Sequence, residues 1–245
     1  MDLIRGVAYN IRGLGMSLRT GRLLFWGLVR FFLLFLIMSV LAGLILAYHQ
    51  SIMDLFWIKP ESRWLLWIWH LLSWFVSIFL IVVSGLISFL ISQVLFSVLI
   101  MDLMSRITER KVTGRVRTPE GATIWKQFLL MMTQEIPRSF VPLLLSLLIM
   151  LLGWLTPLGP VVTMLSSGLA VIFLSWDNTD LTPARNLLPF KKRFAFLTKT
   201  LLFHLGFGLP FLIPGFNLLF LSFAPVGATL YYLDKQAQAE KRNVG

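Results

Sequence analysis

The chain contains no cysteine, and its 11 acidic residues face 22 lysines and arginines across 245 positions. Without cysteine there is no disulfide, no thiolate nucleophile and no cysteine-based metal site. The three histidines, His49, His70 and His204, stand far apart in sequence and read as interfacial or packing residues rather than metal ligands. The phosphate-cradling loop of nucleotide hydrolases, the G-x-S-x-G elbow and the H-E-x-x-H zinc motif are all missing, so neither catalysis nor a cofactor is expected. Charge of either sign is scarce, at 13% of residues where a soluble domain carries about a quarter.

What replaces charge is apolar bulk. Hydrophobic residues make up 57% of the chain, and the mean hydropathy is +0.81. These values describe an integral membrane protein. No stretch longer than about 25 residues lacks strong apolar character, which excludes an appended soluble domain, so residues 1–245 read as a single membrane domain. The net charge of +11 does not point to nucleic acid. In a membrane chain such an excess marks lysines and arginines held in cytoplasmic segments beside anionic lipid, and the partner it implies is the bilayer.

Residues 1–22 place Leu3, Val7, Ile11, Leu14 and Leu18 on one helical arc, opposite Arg5, Arg12 and Arg19, which predicts an amphipathic helix on the membrane surface. A cleaved signal peptide is not expected, because the apolar run that follows is too long and lacks a small-x-small site. Residues 23–49 form the first transmembrane helix, with Arg30 as its only charge. Near the basic end of the segment, Arg30 is placed to snorkel to the headgroups; the competing reading has it facing an internal anion path. After a loop over residues 50–63, Trp64, Trp67, Trp69 and Trp74 read as an interfacial belt.

The second transmembrane helix, 64–101, is free of charge and at about 57 Å is too long for one crossing unless it tilts, breaks or projects. Ser73, Ser77, Ser84, Ser88 and Ser92 share one face of it, either as a packing surface or as a polar lining for permeation.

Residues 102–139 and 177–199 are basic and read as cytoplasmic. Between and after them lie two apolar hairpins, 140–176 and 200–233, whose Pro157-to-Asp177 and Pro214-to-Asp234 spacings coincide. Interrupted segments at matching places of an internal repeat point to a membrane site. The arms are short and the tips uncharged, so both hairpins are expected to turn at membrane depth, shielded by protein, with full crossing by bent helices as the alternative. In this reading Pro225 and Gly227, like Pro214, Gly215 and Asn217, interrupt regular helix. The expected fold is all-α: two long transmembrane helices, two partly penetrating helical hairpins and an N-terminal surface helix.

The C-terminal half resembles the CysZ sulfate permeases and the etoposide-induced protein family. The residues that carry the likeness are Asp180, Ala184, Arg185, Phe190 and Arg193 in DLTPARNLLPFKKR, Gly206, Phe207 and Gly208 in HLGFG, Pro214 and Asn217 in IPGFN, and Gly227, Ala228 and Thr229 in VGAT. Glu109, Thr113 and Gly114 fit the same pattern. The resemblance implies long membrane helices with two partly penetrating pairs, homo-oligomerisation and, in the permease branch, sulfate uptake across a bacterial-type inner membrane. Where the permeases carry a glycine followed by adjacent arginines, this chain has Gly21, Arg22, Leu23 and Leu24, and their Pro-Phe-Asn stands here as Leu99, Ile100 and Met101. A non-transporting scaffold of the same family therefore remains a second reading.

For a small oxyanion such as sulfate, the candidate binding residues are Gly21 and Arg22 at the start of the first membrane helix, Arg30, and Asn217 at the second hairpin turn, where backbone N–H groups and positive charge meet. The charge pattern places both termini and the two basic segments in the cytoplasm and only the loop near Lys59 outside. Since the chain has no cysteine, single cysteines introduced at Arg115 and Lys192 are expected to react with an impermeant maleimide only after the membrane is opened. Strong labelling of intact cells at either position reverses the orientation.

Overall fold

The computed structural model describes residues 1–56, 59–92, 99–116, 144–145, 147–149, 151–153, 159–213 and 215–244. Most of the expected 102–139 segment, the tip of the first hairpin and Pro214 lie outside this set. The described residues are helical, without strands: α1 (Asp2–Leu18), α2 (Gly21–Ala47), α3 (His49–Phe56), α4 (Arg63–Ser92), α5 (Asp102–Thr113), α6 (Gly159–Thr179), α7 (Leu181–Arg185), α8 (Phe190–Lys199), α9 (Leu201–Gly208), a 3-10 turn (Leu209–Leu212) and α10 (Asn217–Val244). Three of these, Gly21–Ala47, Arg63–Gly85 and Gly159–Thr179, are long and apolar enough to cross a membrane. Phe190–Lys199 and Leu201–Leu212 form one further apolar candidate, a pair bent by 78° at Thr200. The protein is thus all-helical and multi-pass in character.

Contacts divide the chain into residues 32–93 and a second unit of residues 1–31 with 94–245. In the first, α3 occupies part of what the sequence suggests is a loop. It forms because Met53 is fully buried, giving the segment an apolar anchor. Trp64, Trp67 and Trp74 are exposed as a belt requires, whereas Trp69 is buried with the Lys59 ammonium 5.9 Å from its ring centre. Phe32, Phe35, Leu36, Phe75 and Phe79 are uncovered by protein. Apolar surface on this scale needs lipid or another protein to cover it.

In the second unit α1 packs chiefly on α9 and α10. Its buried face is Gly6, Tyr9, Asn10, Gly13 and Ser17. The apolar stripe is not what it buries in protein: Ile11 and Leu18 are exposed and Leu3, Val7 and Leu14 only partly covered. Small residues win because the crossings bring backbones together. A Cβ on Gly6 would lie 2.2 Å from the Phe203 carbonyl oxygen, and one on Gly227 would lie 2.4 Å from that of Tyr9. The glycines that weaken α1 as an isolated helix are its contact points. Tyr9 completes the joint by donating to Asp234 Oδ2 at 2.6 Å. Burial, and then this carboxylate, raise the Tyr9 phenol above its ordinary value of 10.

The hairpins differ from expectation in extent. Helix α6 has 21 residues, about 31 Å, because it continues through Asp177 to Thr179 instead of ending at the acidic residue. The basic segment 177–199 is solvated only in its second part: residues 175–185 are all buried, whereas 187–192 and Lys199 are exposed. At the second tip the chain does turn, with Gly215 at φ 80° and the Asn217 amide donating to the Ile213 carbonyl at 2.9 Å. Beyond it α10 runs unbroken through Pro225 and Gly227 and through the polar tail, to Val244.

Pro225 does not interrupt the helix because its missing donor is replaced. Without an N–H at Pro225, the Leu221 carbonyl one turn earlier loses its helical partner. Arg30 Nη1 donates to that oxygen at 2.9 Å. Arg30 is 4% exposed, so it does not snorkel; α10 draws it inward. Nearby, a Cβ on Gly27 would overlap the Phe223 ring, showing how closely α2 passes α10. Since a hydrogen bond from a charged donor contributes about 1.5–3 kcal/mol, Arg30→Met should destabilise the wild-type chain. In a Pro225→Ala background, which restores the amide donor, the same substitution should cost at least about 1 kcal/mol less. Thermal unfolding of the four proteins in detergent measures this coupling; additive effects would refute it.

Candidate functional site

The candidate anion residues do not converge on one point. Gly21 and Arg22 open α2, both exposed. The first amide of this turn with a backbone acceptor is that of Leu24, which donates to the Thr20 carbonyl at 2.9 Å. Of the α2 residues before it, Gly21 and Arg22 are exposed, and their amides belong to the first turn of a helix, where no intrahelical acceptor exists. The corner between α1 and α2 also gains a cation that the sequence reading did not include: Lys111 Nζ donates to Thr20 Oγ1 at 2.7 Å. Lys111 belongs to the last turn of α5 together with Arg110, and α5 stops at Gly114, whose φ of 76° is left-handed. Basic side chains there match the negative end of the helix dipole.

Arg30 lies eight residues further along α2, about 12 Å, with Nη1 bound to the Leu221 carbonyl. Asn217 is exposed, one helical turn before Leu221 on α10. Contacts of Gly27 with Phe223 and of Arg30 with Leu221 make α2 and α10 antiparallel here.

The serine face divides. Ser73 and Ser77 hold His49, with Nε2 2.7 Å from Ser73 Oγ and Nδ1 3.0 Å from Ser77 Oγ. Ser88 Oγ donates back to the Ser84 carbonyl at 2.7 Å, and both residues are buried. Ser92 closes α4. Ser73, Ser77 and Ser88 thus satisfy a histidine or their own helix, while Ser84 Oγ is buried without a hydrogen-bond partner among the described residues.

The family-motif residues build a buried polar centre instead. Arg185, at the end of α7, has a side chain with no exposed surface. Its Nη1 reaches Asp102 Oδ1 and Ser105 Oγ, both at 3.2 Å, and its Nη2 reaches Glu109 Oε2. Asp102, Ser105 and Glu109 fall at i, i+3 and i+7 of α5, on one face. Arg106 Nε donates to Asp102 Oδ2 at 2.6 Å from the rim. Ser105 Oγ in turn accepts from Thr229 Oγ1 at 2.9 Å and lies 3.1 Å from Thr182 Oγ1. A second ion pair joins Arg193 to Asp180, with the Arg193 guanidinium carbon 5.6 Å from the Phe190 ring centre. Phe190 itself is exposed; Gly227 meets α1, and Ala228 and Thr229 are buried.

Residues 9–222 match the family described as Sulfate transporter CysZ/Etoposide-induced protein 2.4. The chain belongs to this family. A comparison with curated proteins finds no match. As a CysZ-family member with apolar helices of spanning length, it is a membrane protein related to sulfate permeases.

Asp102, Ser105 and Thr182 were not singled out in the sequence. The available signal was the carboxylate pair at i, i+7 in a chain poor in acidic residues, which requires a cation once both are buried. Removing that cation takes the buried guanidinium from Glu109 and leaves Asp102 to Arg106; breaking a buried ion pair in this way costs about 3–5 kcal/mol. Arg185→Met is therefore expected to lower the unfolding temperature sharply or abolish a monodisperse species in detergent. Adding Glu109→Gln should recover much of the loss, since Arg106 still serves Asp102. Scanning fluorimetry of the single and double variants checks both.

Proposed function

We propose that this CysZ-family protein admits a small oxyanion such as sulfate through the membrane, receiving it at the α1–α2 corner. Family membership carries the reading, and the corner adds physical support. An anion leaving water needs donors and positive charge. The first amides of α2, Arg22 and the neighbouring Lys111 supply them at an exposed position. Arg30 and the Asn217 turn lie farther along the same pair of helices, as later stations. Weak, multiple contacts of this kind suit conduction better than one tight site. The reading includes a bacterial-type inner membrane, cytoplasmic termini and a homo-oligomeric assembly, and it assigns no catalytic step.

One observation favours a non-transporting scaffold instead. Leu23, which follows Arg22, is fully buried, so the corner offers one arginine where the permeases carry two. Sulfate flux into proteoliposomes separates the readings. Transport above empty vesicles, reduced about tenfold by Arg22→Ala and unchanged by Lys241→Ala, is the expected result. Folded, inserted protein with flux equal to empty vesicles would sink the permease reading.

A further inference from the structure

A cavity of about 280 Å³ opens between the α7–α8 turn and the C-terminal half of α10. The turn is tight, with Leu187 at φ 56°, and folds α8 back toward α10. The cavity walls are largely apolar, built from Pro183, Leu188, Phe196, Tyr231 and Ala239. Its charged lining residues are Lys192, Lys235, Arg193 and Asp180. Arg193 and Asp180 neutralise each other in their buried pair. The cavity therefore keeps the two lysines as its positive excess, with Lys235 Nζ 5.7 Å from the Tyr231 ring centre.

The surroundings say what meets this cavity. On α8, Phe190 and Phe194 are exposed and stacked on each other with centroids 6.0 Å apart, while Lys191, Lys192 and Lys199 are also exposed. Exposed aromatics interleaved with lysines on a short helix are the pattern of a segment lying at the headgroup level of a bilayer. A ligand entering there comes from the membrane. It must combine negative charge for the lysines with apolar substance for the walls.

From this combination we infer that the cavity is a binding site for one anionic phospholipid, its phosphate held by Lys192 and Lys235 and the start of its acyl region laid along Pro183, Leu188, Phe196 and Tyr231. The volume is at the lower end of small-molecule sites, which run from about 300 Å³ upward. It takes the glycerophosphate and the first stretch of chain and returns the tails to the bilayer. Electrostatic attraction of juxtamembrane lysines to an anionic leaflet corresponds to about a fivefold change in affinity for each. The site holds a lipid whether or not the chain transports an anion.

Native mass spectrometry of the purified full-length protein in mild detergent tests this, with dioleoylphosphatidylglycerol, dioleoylphosphatidylcholine and inorganic phosphate titrated separately. One phosphatidylglycerol per chain should be retained at concentrations where phosphatidylcholine is not, and phosphate should neither bind nor compete. Lys192→Gln with Lys235→Gln should weaken retention at least about tenfold, whereas Lys191→Gln, on the same helix outside the cavity, should leave it within about twofold. Ala239→Trp, at an exposed position, should block the site without altering charge. Equal retention of the two lipids, binding of phosphate as strong as that of the lipid, or indifference to both the double substitution and Ala239→Trp would overturn the assignment.

Discussion

A single buried guanidinium sets the interior geometry of the unit formed by residues 1–31 and 94–245. Arg185 serves Asp102 and Glu109 at once, and these two carboxylates are seven residues apart on α5. They can share a cation only if the face that carries them points inward and α7 ends within reach of it. Ser105, between them on that face, then lies where it can meet both Thr182 and Thr229. Three helices, α5, α7 and α10, are registered by one set of polar contacts. A buried pair of this kind adds little net stability over well-packed apolar side chains, but breaking it is costly. Its use here is to exclude alternative registers among apolar helices, which could otherwise slide on one another at small cost.

The triplet Gly227, Ala228, Thr229 shows how compactly this register is encoded. Two residues along a helix rotate by about 200°, so Gly227 and Thr229 look in nearly opposite directions. Gly227 lets the α1 backbone approach, and Thr229 reaches α5. The residue between them is small because α10 is enclosed there: Ala228 is 2% exposed.

Sequence pattern revealed the helical membrane class, α1, the two long apolar helices and the turn at Gly215, because each rests on local period, length or a glycine conformation. It was less informative about which face a helix buries. The leucine stripe of α1 reads as the face laid on the membrane, and Ile11 and Leu18 are uncovered by protein; what the stripe does not show is that the other face packs on protein through residues that let backbones touch. The same reasoning explains Pro225. A proline in an apolar segment reads as a break until another helix supplies the lost donor, and Arg30 is 195 positions away in sequence. The Arg185 centre was half visible, since Arg185 and Glu109 belong to the family pattern while their pairing depends on a contact across 76 residues.

This pairing bears on how an anion could approach. Among the described residues the buried Arg, Lys, Asp and Glu side chains are Arg30, Arg185 and Arg193 against Asp102, Glu109, Asp177 and Asp180, so acidic groups slightly outnumber basic ones in the core. The chain as a whole carries +11. Among the described residues a positive excess is therefore not stored in the interior, where it would cost desolvation and attract a permeating anion too tightly to release. It is carried toward the rim, at positions such as Arg22, Lys191 and Lys192, where charge stays hydrated. An anion or an anionic headgroup is thus met first by exposed cations, and the buried Arg185 and Arg193, each held by carboxylates, act on the helices that position them.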